Sequence, residues 1–332
     1  MLLPSPRGTL GAALVSALRG DGPVPATGAH DDEDDLQLSL WVLYELHYRG
    51  FDDVPGTWEW DPELLRLRAA LEAGFEAAIR ERCAGLVTEA EEQAGEQDDV
   101  VTALRLIAEA DVPALSSYLH RTATAEQYRE FLMARSVYHL KESDPHSWAV
   151  PRLTGAPKAA LAELQYDELG GGRPDRVHQQ LFADALTEAG LDPAYGSYVD
   201  LTPAPVLAVN NAMSLFGLHR RLVGACVGHL AAFEMTSSLP CRRYAQGAER
   251  LELGPAVVRY FDEHVEADAV HEHLAARDIC ARLVDQQPAL RADVLLGAAA
   301  CVLLEADAAR ATLDAWEQGL SALRAPEQER VA

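Results

Sequence analysis

Apolar residues recur at intervals of three and four along most of the chain, starting in DDEDDLQLSLWVLYELHYRGF (31–51). This spacing is typical of amphipathic α-helices, which complete a turn in about 3.6 residues. A second segment, 61–83, places Asp61 at a helix cap and Pro62 in the first turn. Further helical patterns cover 124–142, 156–169, 174–189, 203–222, 224–239, 252–285 and 289–320. Runs of alternating β-branched residues are missing, so the sequence predicts an all-α helical bundle.

Composition changes along the chain indicate where this bundle begins and how it is divided. Residues 1–30 are rich in Pro, Gly and Ala, and we expect a loose N-terminal lead-in there. Residues 31–325 contain neither internal repeats nor a linker, so we expect them to form a single domain. Short breaks between helices are predicted at Gly170 to Gly172, at DPAYG (192–196) and at SSLPC (237–241).

The charge balance limits the classes of partner. The chain has 52 acidic and 28 basic residues, a formal net charge of -24. Nucleic acids and anionic membrane surfaces attract clustered Lys and Arg, so neither is an expected partner. The five cysteines are scattered and never form CxxC, which favours a reduced, cytoplasmic protein. No apolar run approaches the roughly 18 residues that span a bilayer.

The stretch FDEHVEADAVHEH (261–273) contains a candidate metal site. On a helix, His264, Asp268 and His271 fall within about 60° of one another, whereas Glu266 and His273 point away. Two imidazoles and a carboxylate are ligands that iron, manganese and zinc accept. A charged, exposed helix face with coincidental spacing is the alternative interpretation.

Other candidate ligands lie on separate predicted helices. Glu168 and His178 flank the triple glycine, so both can face one cavity. Glu234 lies in an apolar helix, where a buried carboxylate needs a cation or strong donors. Glu142 ends another apolar helix. Each has an ordinary structural alternative, as a helix-end acid, a surface residue or the partner of an arginine.

Together these residues form a carboxylate-rich set with three imidazoles, the type of site that helical bundles use for two iron or manganese ions. The two Glu-x-x-His motifs of ferritin-like proteins are absent from the expected places, which favours a different helical scaffold. The remaining histidines considered are interpreted as structural: His47, His139, His219 and His229. Four arginines could bind a substrate carboxylate or balance nearby acids: Arg173, Arg176, Arg242 and Arg243.

Three stretches of the chain resemble the haem-oxygenase-like di-iron oxidases, which are iron-containing redox enzymes. They are ELQYDELGGGRPDRVHQQLF (163–182), the glutamate in HLAAFEMTSSLP (229–240) and HVEADAVH (264–271). The early segment containing LYELHYRGF (43–51) is similar to the N-terminal part of this group. The resemblance covers residues 35–320 and implies a haem-oxygenase-like bundle with additional N-terminal helices.

The resemblance also implies a ligand set for two irons. Glu142, His178 and His271 are assigned mainly to one iron, and Asp268 and His264 to the other. Glu168 is assigned as a bridging ligand and Glu234 as an additional carboxylate.

Two Fe(II) ions in such a site can jointly reduce O2, which would be the co-substrate, with electrons from an external donor. We expect oxygenation of a small amine or amino acid, with N-oxygenation first. Oxidative desaturation or C–C cleavage of a fatty or amino acid is the second hypothesis. A non-enzymatic helical interaction protein is the third. The expected partner is a small molecule, and a homodimer is left open.

Overall fold

Helices account for most of the chain in the computed structural model, which describes residues 1–95 and 100–325, with only the backbone for 266–270. No strand occurs in these described ranges. The α-helices are α1 Thr9–Leu18, α2 Glu33–Glu45, α3 Pro62–Ala94, α4 Val100–Ala108, α5 Leu115–Arg121, α6 Ala125–His139, α7 Asp144–Ser147, α8 Gly155–Glu168, α9 His178–Glu188, α10 Ala204–Leu218, α11 Val223–Arg250, α12 Pro255–His273, α13 Arg282–Gln286 and α14 Arg291–Glu317. The all-α prediction is confirmed.

Helix α11 is the central element, packed along α14 and α12. Two of its contacts with α14 depend on glycine. A Cβ atom at Gly228 would collide with the carbonyl of Val294, and one at Gly297 with the carbonyl of Ala225. Small residues therefore let the two helix backbones approach closely and fix the axis from which Glu234 projects. Apolar cores lie on both sides, one toward the N-terminal helices and α14, the other between α5, α6, α9 and α12.

The N-terminal segment differs from the loose lead-in predicted for residues 1–30. Residues 9–18 form α1, and its apolar side chains, including Leu10, Leu14 and Leu18, are buried in the core. The Asp35 carboxylate at the start of α2 accepts hydrogen bonds from the backbone N–H groups of Leu10 and Gly11. Burial and these bonds offset the weak helix signal of a Gly- and Ala-rich segment, so the prediction was wrong for α1.

The predicted break at SSLPC is also wrong, because α11 continues through Pro240 to Arg250. Proline lacks the N–H that would bond to the Thr236 carbonyl, which usually ends or kinks a helix. Here the residues after Pro240 pack into the second core through Cys241 and Ala245, and tertiary burial outweighs the lost bond. The long helix thereby places Glu234 and Arg243 on one rigid element.

The stretch Arg220–Arg250 is long and apolar enough to cross a membrane by length and composition. The expectation that no apolar run approaches this length was therefore wrong for this part of the described chain. The stretch coincides with the core helix α11, and 67% of its apolar window is buried inside the protein. Its hydrophobicity is explained by packing in the core.

Candidate metal centre

Helix α12 presents two of the predicted ligands, His264 and His271, to the interior. His271 follows His264 by seven positions, so they lie two helical turns, or about 10 Å, apart along the axis. His273, which was predicted to point away from these two ligands, is exposed. The side chain of Asp268 lies outside the described residues.

The first cluster consists of Glu142, His178 and His264, whose candidate ligand atoms all lie within 4.8 Å of one another. Nδ1 of His264 donates to the carbonyl of Tyr260 at 2.8 Å. In the neutral ring, Nε2 therefore holds the lone pair, and it lies 3.5 Å from Glu142 Oε1. Such an outer hydrogen bond is the usual way in which a metal-binding histidine is oriented.

Glu142 lies in a turn after α6, and the turn is held from several sides. The next residue, Ser143, has a φ of 73°, in the left-handed region that non-glycine residues rarely adopt. Its hydroxyl donates to Gln165 Oε1 at 2.6 Å, and Gln179 Nε2 donates to the Glu142 carbonyl at 2.9 Å. These bonds stabilise a strained backbone that turns Glu142 inward.

Two further side chains hold the Glu142 carboxylate. Nδ1 of His139 lies 2.9 Å from Oε1, and the Tyr260 hydroxyl donates to Oε2 at 3.0 Å. Burial alone would raise the pKa of Glu142, but His139 and His264 hold it well below its usual range. The carboxylate therefore stays ionised in the interior, as a metal ligand must.

The second cluster consists of Glu168, Glu234 and His271, again with candidate ligand atoms within 4.8 Å of one another. Nδ1 of His271 faces Glu234 Oε2 at 3.5 Å and Glu168 Oε1 at 3.6 Å. On the other side of the ring, Nε2 lies 3.4 Å from Asp167 Oδ2. Asp167 accepts the Nε2 hydrogen, so that Nδ1 is directed toward the two buried carboxylates.

Glu168 connects the two clusters. Its Oε1 lies 3.6 Å from His271 Nδ1 in the second cluster, and its Oε2 lies 3.0 Å from His178 Nδ1 in the first. The triple glycine produces this arrangement. Gly170 has a φ of 72°, and a Cβ there would lie 2.6 Å from the Arg176 carbonyl carbon, so the chain turns tightly from Glu168 to His178.

Both clusters contribute residues to the wall of one small cavity of about 10 Å³, with Glu142 and His264 from the first and Glu168 and Glu234 from the second. This volume is close to the minimum that holds a single water molecule. The clusters therefore share one polar interior, in which donors from five segments of the chain converge.

Six of the seven predicted ligands are buried, with exposed fractions of 8% or less: Glu142, Glu168, His178, Glu234, His264 and His271. Burial argues against the alternative of exposed, charged helix faces. The grouping differs from the predicted division between two irons, since His264 rather than His271 lies with Glu142 and His178. Which neighbouring helix each turn of α12 contacts depends on tertiary packing, and the spacing of residues in the sequence does not predict it.

Sequence reasoning missed the residues that support the ligands. Tyr260 precedes His264 by one helical turn and Asp167 precedes Glu168 directly, spacings that could have indicated both. His139, interpreted as structural, contacts Glu142. His146 and His229 form another buried pair, with Nε2 and Nδ1 3.3 Å apart, and burial lowers the pKa of each to about 3.

The helical fold and the converging Glu and His side chains define an all-α protein with a buried candidate metal centre. The family model for iron-containing redox enzymes matches residues 129–306, more than half of the chain, and the chain belongs to this family. The resemblance found in the sequence is thus confirmed, and membership supports an oxidoreductase role. The match includes every predicted ligand and excludes α1 to α5. No curated protein matches the chain.

Proposed function

We propose that the protein is an O2-activating, non-haem di-iron oxygenase that acts on a small amine or amino acid, with N-oxygenation as the first reaction to test. The observation that supports this most directly is the position of Glu168. Its two oxygens face one histidine of each cluster, at 3.0 Å and 3.6 Å. A carboxylate placed in this way between two clusters is suited to bridge two metal ions.

The donor set fits iron. Each described cluster offers imidazole nitrogen and carboxylate oxygen, the mixture that non-haem iron sites use. Three buried glutamates in one polar interior are costly without compensating positive charge. Two Fe(II) ions bound there would compensate this charge and supply two electrons for the reduction of O2.

The residues around the two clusters fix the orientation of the candidate ligands. Tyr260 and His139 hold the Glu142 carboxylate, Asp167 orients His271, and the Tyr260 carbonyl orients His264. Apolar side chains, including Leu164, Leu230 and Phe233, line the small cavity beside the clusters. A larger cavity of about 440 Å³ reaches Glu142 and His264 from one side and offers room for a substrate.

Oxidative desaturation or C–C cleavage of a fatty or amino acid is the second candidate reaction. The larger cavity favours it, because Phe131, Phe233, Tyr244 and Phe261 give much of its wall an aromatic surface. The third hypothesis, a non-enzymatic interaction protein with solvated acidic faces, is disfavoured by the burial of six predicted ligands.

The test is anaerobic loading with Fe(II), metal analysis, and mixing with O2 in the presence of a reductant. We expect about two irons per chain and consumption of O2. A panel of amines, amino acids and fatty acids, analysed by product mass, then separates N-oxygenation from desaturation and cleavage. If the iron-loaded protein consumes no O2 with any of these compounds, the oxygenase proposal is wrong.

Metal binding is expected to release protons from the second cluster. Burial lowers the pKa of His271, but Glu234, Glu168 and Asp167 outweigh it and raise the pKa to about 9. A metal ion binds only the neutral imidazole, so each ion bound to His271 below pH 9 displaces a proton. Affinity should rise about tenfold per pH unit between pH 6.5 and 8.5 and level off above pH 9.

Calorimetry with Mn²⁺ in buffers of different ionisation enthalpy measures this proton release. His271→Gln should reduce it by about one proton per chain at pH 7.5. His273→Gln, two residues further along α12 and exposed, is the matched control and should leave it unchanged. An affinity independent of pH over this window would contradict the expected displacement.

A further inference from the structure

The cavity of about 440 Å³ has a metal-cluster end and an open end. At the first end it is lined by Glu142 and His264 of the first cluster, together with Tyr260. Val112 and Leu239, which also line it, are 43% and 55% exposed, so the cavity reaches the surface beside them. A molecule can therefore enter at the α5 end of the fold and extend toward the candidate metal centre.

Most of the wall between these ends is apolar, formed by Phe131, Phe233, Met235, Tyr244 and Phe261. Phe131, Tyr244 and Phe261 pack against one another, with ring centroids 4.8 to 6.4 Å apart. This part of the cavity suits a hydrocarbon chain or a ring, because a polar group placed against it would lose its hydrogen bonds to water.

Two arginines line the same cavity, and their partners differ. Arg135 forms a two-pronged ion pair with Glu305, at 2.6 and 2.7 Å, which neutralises both side chains. Among the described residues, the guanidinium of Arg243 makes one hydrogen bond, to the hydroxyl of Ser116 at 3.2 Å, and has no carboxylate partner. Arg243 is half-buried and Ser116 is buried.

The position of Arg243 along α11 separates it from the metal clusters. It follows Thr236 by seven residues, two helical turns, so both lie on the face of α11 that lines the cavity. It follows Glu234 by nine positions, a rise of about 13 Å along the helix. The unpaired positive charge and the candidate metal centre thus lie at different depths of one apolar cavity.

We propose that Arg243, with the hydroxyl of Ser116, binds the carboxylate of a substrate whose apolar body lies along the aromatic wall. The reacting group is then the end of the molecule opposite to the carboxylate, beside Glu142 and His264. This assignment rests on the proposed function for the reaction itself, and among the proposed substrates it favours carboxylic acids over amines that lack a carboxylate. It selects monocarboxylates with an apolar body of several carbons, and it disfavours reaction at an amine next to the carboxylate.

The guanidinium suits this role because it offers donors in a planar fork that matches a carboxylate. A hydrogen bond between charged groups in a partly buried site contributes more than one between neutral groups. The apolar wall cannot distinguish octanoate from octanamide, which have nearly the same shape. Any preference for octanoate over octanamide therefore measures the contribution of the anionic end group alone.

Calorimetric titration of the full-length protein with octanoate and octanamide tests the proposal, both without added metal and after anaerobic loading with Fe(II). The unaltered protein should bind octanoate more tightly than octanamide. Arg243→Gln should weaken octanoate binding about 10- to 100-fold and leave octanamide binding unchanged. The adjacent Arg242→Gln is the matched control, because Arg242 is exposed and does not line the cavity.

Two additional variants keep the result interpretable if Arg243→Gln folds poorly. Arg243→Lys retains the charge and should retain most of the preference for octanoate. Arg243→Glu should reverse it and favour octylamine over octanoate. Equal binding of octanoate and octanamide to the unaltered protein, or an equal loss in Arg242→Gln, would overturn the proposal.

Two further ligands distinguish the sources of such a carboxylate. L-norleucine places its amine beside the carboxylate, and 6-aminohexanoate places it at the opposite end. Arg243-dependent binding of either shows that amino acids use the site, and binding of octanoate alone assigns it to simple carboxylic acids. These titrations need neither O2 nor turnover. The carboxylate-binding proposal can therefore be correct when the oxygenase proposal is wrong, and the oxygenase proposal can be correct when the carboxylate-binding proposal is wrong.

Discussion

Replacing Glu168 by Gln is expected to reduce iron binding from about two ions per chain to fewer than one. Glutamine has nearly the same shape as glutamate but no negative charge, and it offers only one strong acceptor oxygen. Because Glu168 faces His178 in one cluster and His271 in the other, both clusters lose an anionic donor in one substitution. Metal analysis after anaerobic loading and removal of excess Fe(II) measures the loss.

Glu163→Gln provides the control for this substitution. Glu163 lies on α8 with Glu168 but is exposed, so its replacement removes one charge from the same helix without touching either cluster. Circular dichroism should show unchanged helix content in both variants. If Glu168→Gln retains two tightly bound irons, Glu168 does not connect two metal ions, and the di-iron proposal loses its main support.

The candidate ligands could be found from the sequence because their spacing follows from helix geometry and from breaks in the helices. The positions of His264 and His271 on one face of α12 depend only on 100° of rotation per residue. The meeting of Glu168 and His178 follows from the glycines that force the turn between them. Local rules are sufficient to predict a ligand's position where the residues that determine it are close together in the sequence.

Rules of this kind fail where distant residues determine the conformation. The helix through Pro240 depends on burial of residues beyond it, and α1 depends on the Asp35 carboxylate. The pairing of His264 with Glu142 depends on the depth at which α12 packs beside the turn after α6. Each is a tertiary effect that overrides or adds to local preference.

A buried ion pair outside the candidate centre is expected to have the largest effect on stability. Lys141, which directly precedes Glu142, is 1% exposed, and its Nζ lies 3.2 Å from Oε2 of the fully buried Glu45. The Tyr195 hydroxyl donates to the same oxygen at 2.7 Å, and Nζ lies 4.4 Å from the centre of the Tyr48 ring. The α2 helix, which the family match does not include, thus holds the turn that presents Glu142.

Lys141→Met should lower the free energy of unfolding by about 3–5 kcal/mol, because it leaves the Glu45 carboxylate buried without a cation. The midpoint of urea denaturation measures this loss. Lys158→Met is the control, since Lys158 is the other lysine of the chain and is exposed on α8. Adding Glu45→Leu to Lys141→Met should restore most of the stability, because the unpaired charge is then removed.

The same variants show whether the pair also positions Glu142. If it does, the doubly substituted protein regains stability but binds iron more weakly than the unaltered protein, because an apolar contact holds the turn less specifically than a hydrogen-bonded ion pair. If the pair acts on stability alone, iron binding recovers together with the unfolding midpoint. An unchanged midpoint in Lys141→Met itself would show that Glu45 is not left as an uncompensated buried charge, contrary to the structure.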